Sequence, residues 1–133
     1  MPLKAAIGTF FVEFSKFEMQ SVGTALRSLS KDVEFVERAE SLLEFDARLK
    51  LLERMAFARG VPSAVMQELA EVFDRARKLR ELAANLANAS LLMPAVAEVE
   101  KYAAEAIELQ TCLGAIAEKF HNRQSAAPTV IKS

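Results

Sequence analysis

Apolar residues recur every three or four positions in four long runs, the spacing of one face of an α-helix. The first run, residues 3–29, sets Leu3, Ile7, Phe10, Phe11, Phe14, Phe17, Val22 and Ala25 on one side as a wide aromatic stripe. The second, residues 32–59, presents Phe35, Val36, Ala39, Leu42 and Leu43 in its first half. Phe45, Leu49, Leu52 and Ala56 then carry the stripe round to a neighbouring face, so this helix is expected to touch more than one partner. The third, residues 62–88, turns Val65, Leu69, Val72, Phe73, Ala76, Leu79, Ala83 and Leu86 inward. The fourth opens at Pro94 and continues through Val96, Val99, Tyr102, Ala103, Ala106, Leu109, Leu113, Ile116 and Phe120 to about residue 122.

Three breaks separate the runs: residues 28–32, 59–63 and 88–94. Asp32 suits an N-cap, Gly60 a left-handed position after a helix, and Pro62 a first helical turn, where its missing N–H is not needed. Each run forms a rod about 40 Å long at about 1.5 Å per residue, and short connections force neighbours to run antiparallel. The pattern therefore predicts an all-α chain, an antiparallel up-down-up-down four-helix bundle in one domain over residues 1–122. Residues 123–133 show no helical period and are expected to form a flexible C-terminal tail.

Composition narrows the chemistry more than it suggests any. At 133 residues, 52% hydrophobic and 26% charged, with four Gly and four Pro, the chain is a folded, helix-favouring domain. The formal charge of -1 gives no global attraction to DNA, RNA or an anionic membrane, so partners must be argued from patches. No run reaches the ~20 apolar residues that span a bilayer, and no leader peptide is evident, which predicts a cytoplasmic protein without membrane contact. Cys112 is the only cysteine, so an intrachain disulfide or an all-cysteine metal site is excluded and a reducing compartment fits.

His121 is the only histidine, which excludes a ferritin-type di-iron centre built on two Glu-x-x-His pairs. Near the end of the fourth helix, it suits the negative end of the dipole better than a metal. Gly8, Gly23, Gly60 and Gly114 are scattered and form no phosphate loop. No catalytic residue, metal or cofactor is predicted. Glu34 with Arg38, and Glu44 with Arg48, stand at i,i+4 spacing and read as a solvated face; Glu98, Lys101, Glu105 and Glu108 repeat that arrangement.

Three ionisable residues do not fit a solvated face. Asp46 falls between Leu42, Leu43 and Leu49 on the helical wheel, Arg80 borders Phe73, Ala76 and Ala83, and Glu18 lies between Phe14 and Val22. An unpaired buried charge costs several kcal/mol, so Asp46 or Glu18 is expected to pair with Arg80. The cluster Arg75, Arg77, Lys78 and Arg80 is the candidate binding surface, although Glu71, Asp74 and Glu81 are placed to neutralise it at i,i+4 and no aromatic interleaves to stack bases. Nine Phe on slender helices suggest an apolar excess, with Phe10, Phe11, Phe14 and Phe17 as the candidate homodimer interface, or Phe10, Phe14 and Phe17 as the wall of a hydrophobic ligand site.

Residues 75–92, Arg75-Ala-Arg-Lys-Leu-Arg-Glu-Leu-Ala-Ala-Asn-Leu-Ala-Asn-Ala-Ser-Leu-Leu92, resemble the end of the third helix in HEPN-like four-helix bundles. In that family an Arg and a His separated by a spacer of four to six residues act on RNA at a dimer groove, or the protein partners a nucleotidyltransferase as a toxin or antitoxin component. The resemblance matches Arg80 to the Arg and puts Asn85 or a neighbour where the His belongs. Asn cannot act as a general acid or base, so the resemblance implies a fold and a non-catalytic role. Two functions follow as expectations: a non-enzymatic helical interaction protein, homodimeric, or an inactive HEPN-like protein.

Overall fold

The computed structural model describes the backbone of residues 2–87 and 95–132 and the side chains of 3–86 and 95–120. No strand occurs among them. A first rod is built from α1 (Pro2–Lys16), a π-helical turn (Phe17–Ser21) and α2 (Val22–Leu29), joined without interruption. Helices α3 (Val33–Leu42), α4 (Phe45–Ala58), α5 (Ser63–Ala87) and α6 (Val96–Lys132) follow.

Two of the three expected breaks are present, each with the local chemistry that stops or starts a helix. Asp32 accepts the Phe35 N–H at 3.0 Å and opens α3. At the end of α4, Gly60 takes φ 73°, its N–H reaches Phe57 O at 3.0 Å and the Val61 N–H reaches Ala56 O at 3.2 Å. That pair of bonds is the Schellman arrangement, which needs a residue tolerant of positive φ. Pro62 O then accepts the first bond of α5, from the Met66 N–H. The third expected break, residues 88–94, lies outside the described residues. The backbone of α6 is helical to Lys132, through the stretch where the sequence pattern ends.

One break was not expected. The second run divides at Leu43 and Glu44, whose backbones are extended. At about 100° per residue, the buried pair Val36 and Ala39 lies about 140° round from Phe45, Leu49, Leu52 and Ala56. A straight helix cannot press both groups into one core. Two extended residues rotate the second group inward, so α3 and α4 each bury their own stripe.

That division changes the chain's course. The half-length α3 returns along α2, tied to it by Arg27 and Glu40 at 3.1 Å, and α4 then sets off again in the direction of the first rod. Phe45 meets Phe14 and Phe17, and Arg48 meets Glu18 and Met19, so residue numbers on the two rods rise together. α5 comes back, with Arg77 opposite Asp46, and α6 reverses once more, with Glu105 opposite Arg75 and Lys119 opposite Glu68. α1 and α6 therefore run the same way: Thr9 shares a groove with Ala103 and Ile107, Gln110 bonds Glu13, and Thr24 faces Gly114. Strict up-down-up-down alternation holds from α4 to α6 and fails between the first rod and α4, and between the first rod and α6.

The core runs the length of these rods. Along the middle of the first rod it is aromatic: the Phe10, Phe14 and Phe17 rings succeed one another at 6.0 and 6.3 Å, and Phe45 closes on the last two edge-on. Phe10, Phe14 and Phe17 are buried, and Phe11 is half-buried against them. The expected homodimer interface on these residues is corrected accordingly. The stripe faces inward because α4 and α6 supply Phe45 and Tyr102 to cover it, and aromatic pairs gain from these offset and edge contacts. The rings pack on one another, which also removes the hydrophobic-ligand wall.

Candidate functional site

The π turn organises the polar residues that the sequence singles out. Buried positions along the first rod fall at Phe10, Phe14 and Phe17, then after a five-residue gap at Val22. In a plain α-helix that gap would carry Val22 about 140° round from Phe17. One extra residue in the turn restores the phase, and the Val22 N–H reaches back to Phe17 O. Insertion of a residue leaves turn carbonyls short of axial amides, and one of them, Glu18 O, accepts from Arg48 Nη1 at 3.2 Å.

Arg48 is the surprise of the site. The i,i+4 pattern places it on a solvated face with Glu44, yet it is 6% exposed, the one buried charged side chain among the described residues. The error has the same origin as the missed break: once α4 rotates, Arg48 shares the buried side with Leu49, Leu52 and Phe45. Besides Glu18 O it touches Met19 Sδ at 3.8 Å, and its Nε has no partner.

Around this buried cation the expected trio separates. Glu18 and Arg80 do pair, at 3.2 Å, and the Arg80 guanidinium lies 5.3 Å above the Phe45 ring, a cation–π placement. Asp46 does not join them. Its side chain is 61% exposed and meets Arg77 at 3.5 Å. It stands in the first turn of α4, where a carboxylate suits the helix dipole.

The basic cluster is neutralised residue by residue. Arg75 bonds Glu105 at 3.3 Å and Glu108 at 3.1 Å, Arg77 bonds Asp46, Lys78 bonds Asp74 at 3.4 Å, and Arg80 bonds Glu18. Of the intrahelical pairs read from spacing on α5, Asp74 with Lys78 forms, while Arg75 and Arg77 reach across to other helices. Glu34 with Arg38 forms as expected, at 2.8 Å. Asn85 is exposed near the end of α5, and the His121 side chain lies outside the described residues.

Burial pushes the Glu18 carboxyl above its ordinary value, and the nearby Arg80 and Arg48 offset only part of this. An acid whose pKa is higher folded than unfolded binds its proton more tightly in the folded state. Its contribution favours folding below the unfolded value near 4.5 and is lost as pH rises through the folded value. Glu18→Gln is therefore expected to gain on the parent chain as pH climbs from about 4 to 7, with the two converging at the acid end. Urea titrations at each pH check this; a Gln variant that loses ground with rising pH contradicts it.

The arrangement supplies no nucleophile paired with a base. Among the described residues no group of three or more His, Cys, Asp or Glu is placed to hold a metal ion, and no helix is long and apolar enough to cross a membrane. The structure's polar knot is a joint: it ties the first rod to α4 and α5 where α4 begins. No protein-family model, curated protein or solved structure matches the chain. The likeness to HEPN-like bundles thus stands on residues 75–92 alone, of which 88–92 lie outside the described residues.

Proposed function

We propose that this chain is a small, non-enzymatic helical-bundle protein whose work is to bind other protein surfaces, and that it does so as a homodimer. One observation carries the reading: with the core already filled, large apolar side chains remain in water. Leu42 is 79% exposed and Phe57 76%, with Val12 at 54% and Ile107 at 47%. Single exposed apolar residues are ordinary, but side chains as large and as exposed as Leu42 and Phe57 give this chain apolar surface to offer another protein. The ionisable residues give complementary support, since those that sequence reasoning offered as a site satisfy one another. The single thiol fits a reducing compartment such as the cytoplasm.

Sedimentation equilibrium on the full chain tests this. A reversible dimer at micromolar concentration is expected; a particle that stays monomeric to about 100 μM defeats the homodimer reading, since any Kd would then exceed that value. Contact with RNA, or partnership with a nucleotidyltransferase as an inactive HEPN-like protein, draws less support. A phosphate-binding face needs unneutralised cations, and each of Arg75, Arg77, Lys78 and Arg80 already has a carboxylate. RNA affinity that falls with salt and with Arg77→Glu and Arg80→Glu would favour it.

A further inference from the structure

We infer that a second copy of this chain docks at the end of the bundle where α2 turns into α3 and α4 finishes, with Phe57 of each copy seated in a groove on α3 of the other. The assignment rests on the homodimer reading above and gives it a surface. Of the eight large apolar side chains left exposed among the described residues, five lie on α3, its exit or α4: Val33, Phe35, Leu42, Leu43 and Phe57. Apolar surface is therefore concentrated on the two helices that the unmarked break separates.

Charge on these two helices separates by sign. In the second half of α4, Lys50, Arg54 and Arg59 are exposed near Phe57, and their side chains meet no carboxylate among the described residues; Glu53 is the one acid among them. Along residues 32–44 the balance is reversed, with Asp32, Glu34, Glu37, Glu40 and Glu44 against Arg38. Glu40 is taken by Arg27, but Glu37 and Glu44 are exposed with no cation, and Glu34 is exposed even while it holds Arg38. On α5, by contrast, Arg75, Arg77, Lys78 and Arg80 each have a carboxylate of their own. Unsatisfied cations on one face and unsatisfied carboxylates on another are what a complementary contact between two copies requires.

The shapes agree with the charges. An open groove of about 290 Å³ at the start of α3 is lined by Asp32, Glu34, Phe35 and Arg38. Phe57, between Arg54 and Arg59 in the chain, offers it a ring with cations on either side; the groove offers an aromatic wall with carboxylates beside it. Phe and Arg are residue types that interfaces favour, and a buried aromatic anchor is their usual centre. Both halves of the contact lie at the same end of the bundle. From Phe45, which is level with Phe17, the 14 residues of α4 climb about 20 Å, the rise that also takes the first rod from Phe17 to the turn into α3. A two-fold axis near that end makes both contacts at once, each copy inserting its own Phe57 and receiving the partner's Phe57.

Sedimentation equilibrium on the full chain and its variants tests the assignment. Phe57→Ser is expected to weaken the dimer at least tenfold with its helical circular dichroism intact, since the ring is exposed in the protomer. Arg54→Glu/Arg59→Glu and Glu34→Lys/Glu37→Lys each set like charges against one another across the contact, and each alone is expected to weaken the dimer at least as much. Mixed in equal amounts, the two charge variants are expected to associate within about threefold of the parent affinity, because every acidic face then meets a basic one. Phe57→Ser added to both is expected to abolish that association, which separates docking from attraction between chains of opposite charge. A dimer of parent affinity in all three variants, a mixture no tighter than its components, or a mixture that ignores Phe57→Ser overturns this docking and leaves self-association standing. A chain that is monomeric throughout overturns both.

Discussion

Phe45→Ala is expected to cost about 3–5 kcal/mol of unfolding free energy, the range for removing a buried aromatic ring from a packed core. The ring is 2% exposed and stands edge-on to Phe14 at 5.9 Å and Phe17 at 6.2 Å. It is also the first residue of α4, directly after the extended pair Leu43 and Glu44, so its insertion fixes where that helix starts. Its outer side carries Arg80, which in turn holds Glu18. Truncation opens a cavity between rods that cannot close over it and withdraws the floor beneath the ion pair. Leucine retains most of the volume and is expected to lose only about 1–2 kcal/mol. Urea unfolding of the three proteins, with unchanged m-values, measures both. An alanine variant within about 1 kcal/mol of the parent would show that the aromatic cluster relaxes freely and that Phe45 does not seat α4.

The sequence was most informative where a helix face keeps its period. Leu69, Val72, Phe73, Ala76 and Leu79 on α5, and Val99, Ala106, Leu109, Leu113 and Phe120 on α6, are all buried as their spacing requires. Asp32 marks the start of α3 and Gly60 the end of α4 because capping is local chemistry that needs no tertiary context. What escaped were two changes of phase. The five-residue step from Phe17 to Val22 and the shift between Val36/Ala39 and Phe45/Leu49 are both written in the residues. Neither contains Gly or Pro, the usual punctuation, so a continuous helix absorbed them. A hydrophobic stripe that moves round a helix is thus the signal of a wide turn or an unmarked break. Both candidate-site errors descend from the second shift. One wheel drawn through residues 32–59 puts Asp46 on the apolar face and Arg48 in water, whereas the chain there forms two helices. The candidate interface failed for a different reason: periodicity shows that Phe10, Phe14 and Phe17 share a face, but it cannot show that Phe45 and Tyr102 arrive to cover it.

The stability of the joint is open to a sharper test, because Arg48 is a buried cation whose bonds do not match its cost. Its Nη1 reaches one carbonyl and one thioether, its Nε reaches nothing, and it enters no ion pair among the described residues. Moving a guanidinium out of water costs several kcal/mol even after relaxation, a cost that an apolar side chain of similar length does not incur. Arg48→Met is accordingly expected to stay within about 1 kcal/mol of the parent at neutral pH, because relief from desolvation is set against a Glu18 O left without its donor and a Glu18 carboxylate left without this cation. Arg48→Glu reverses the charge. It sets a second carboxylate beside Glu18, whose own ionised form burial already disfavours, and is expected to cost about 3–5 kcal/mol at pH 7 and less as the pair gains a proton at low pH. Thermal and urea unfolding of the two variants in parallel separates these effects. A methionine variant that loses several kcal/mol would mean that the guanidinium is held by more than its visible bonds, and the account of Arg48 as an under-compensated charge would fall.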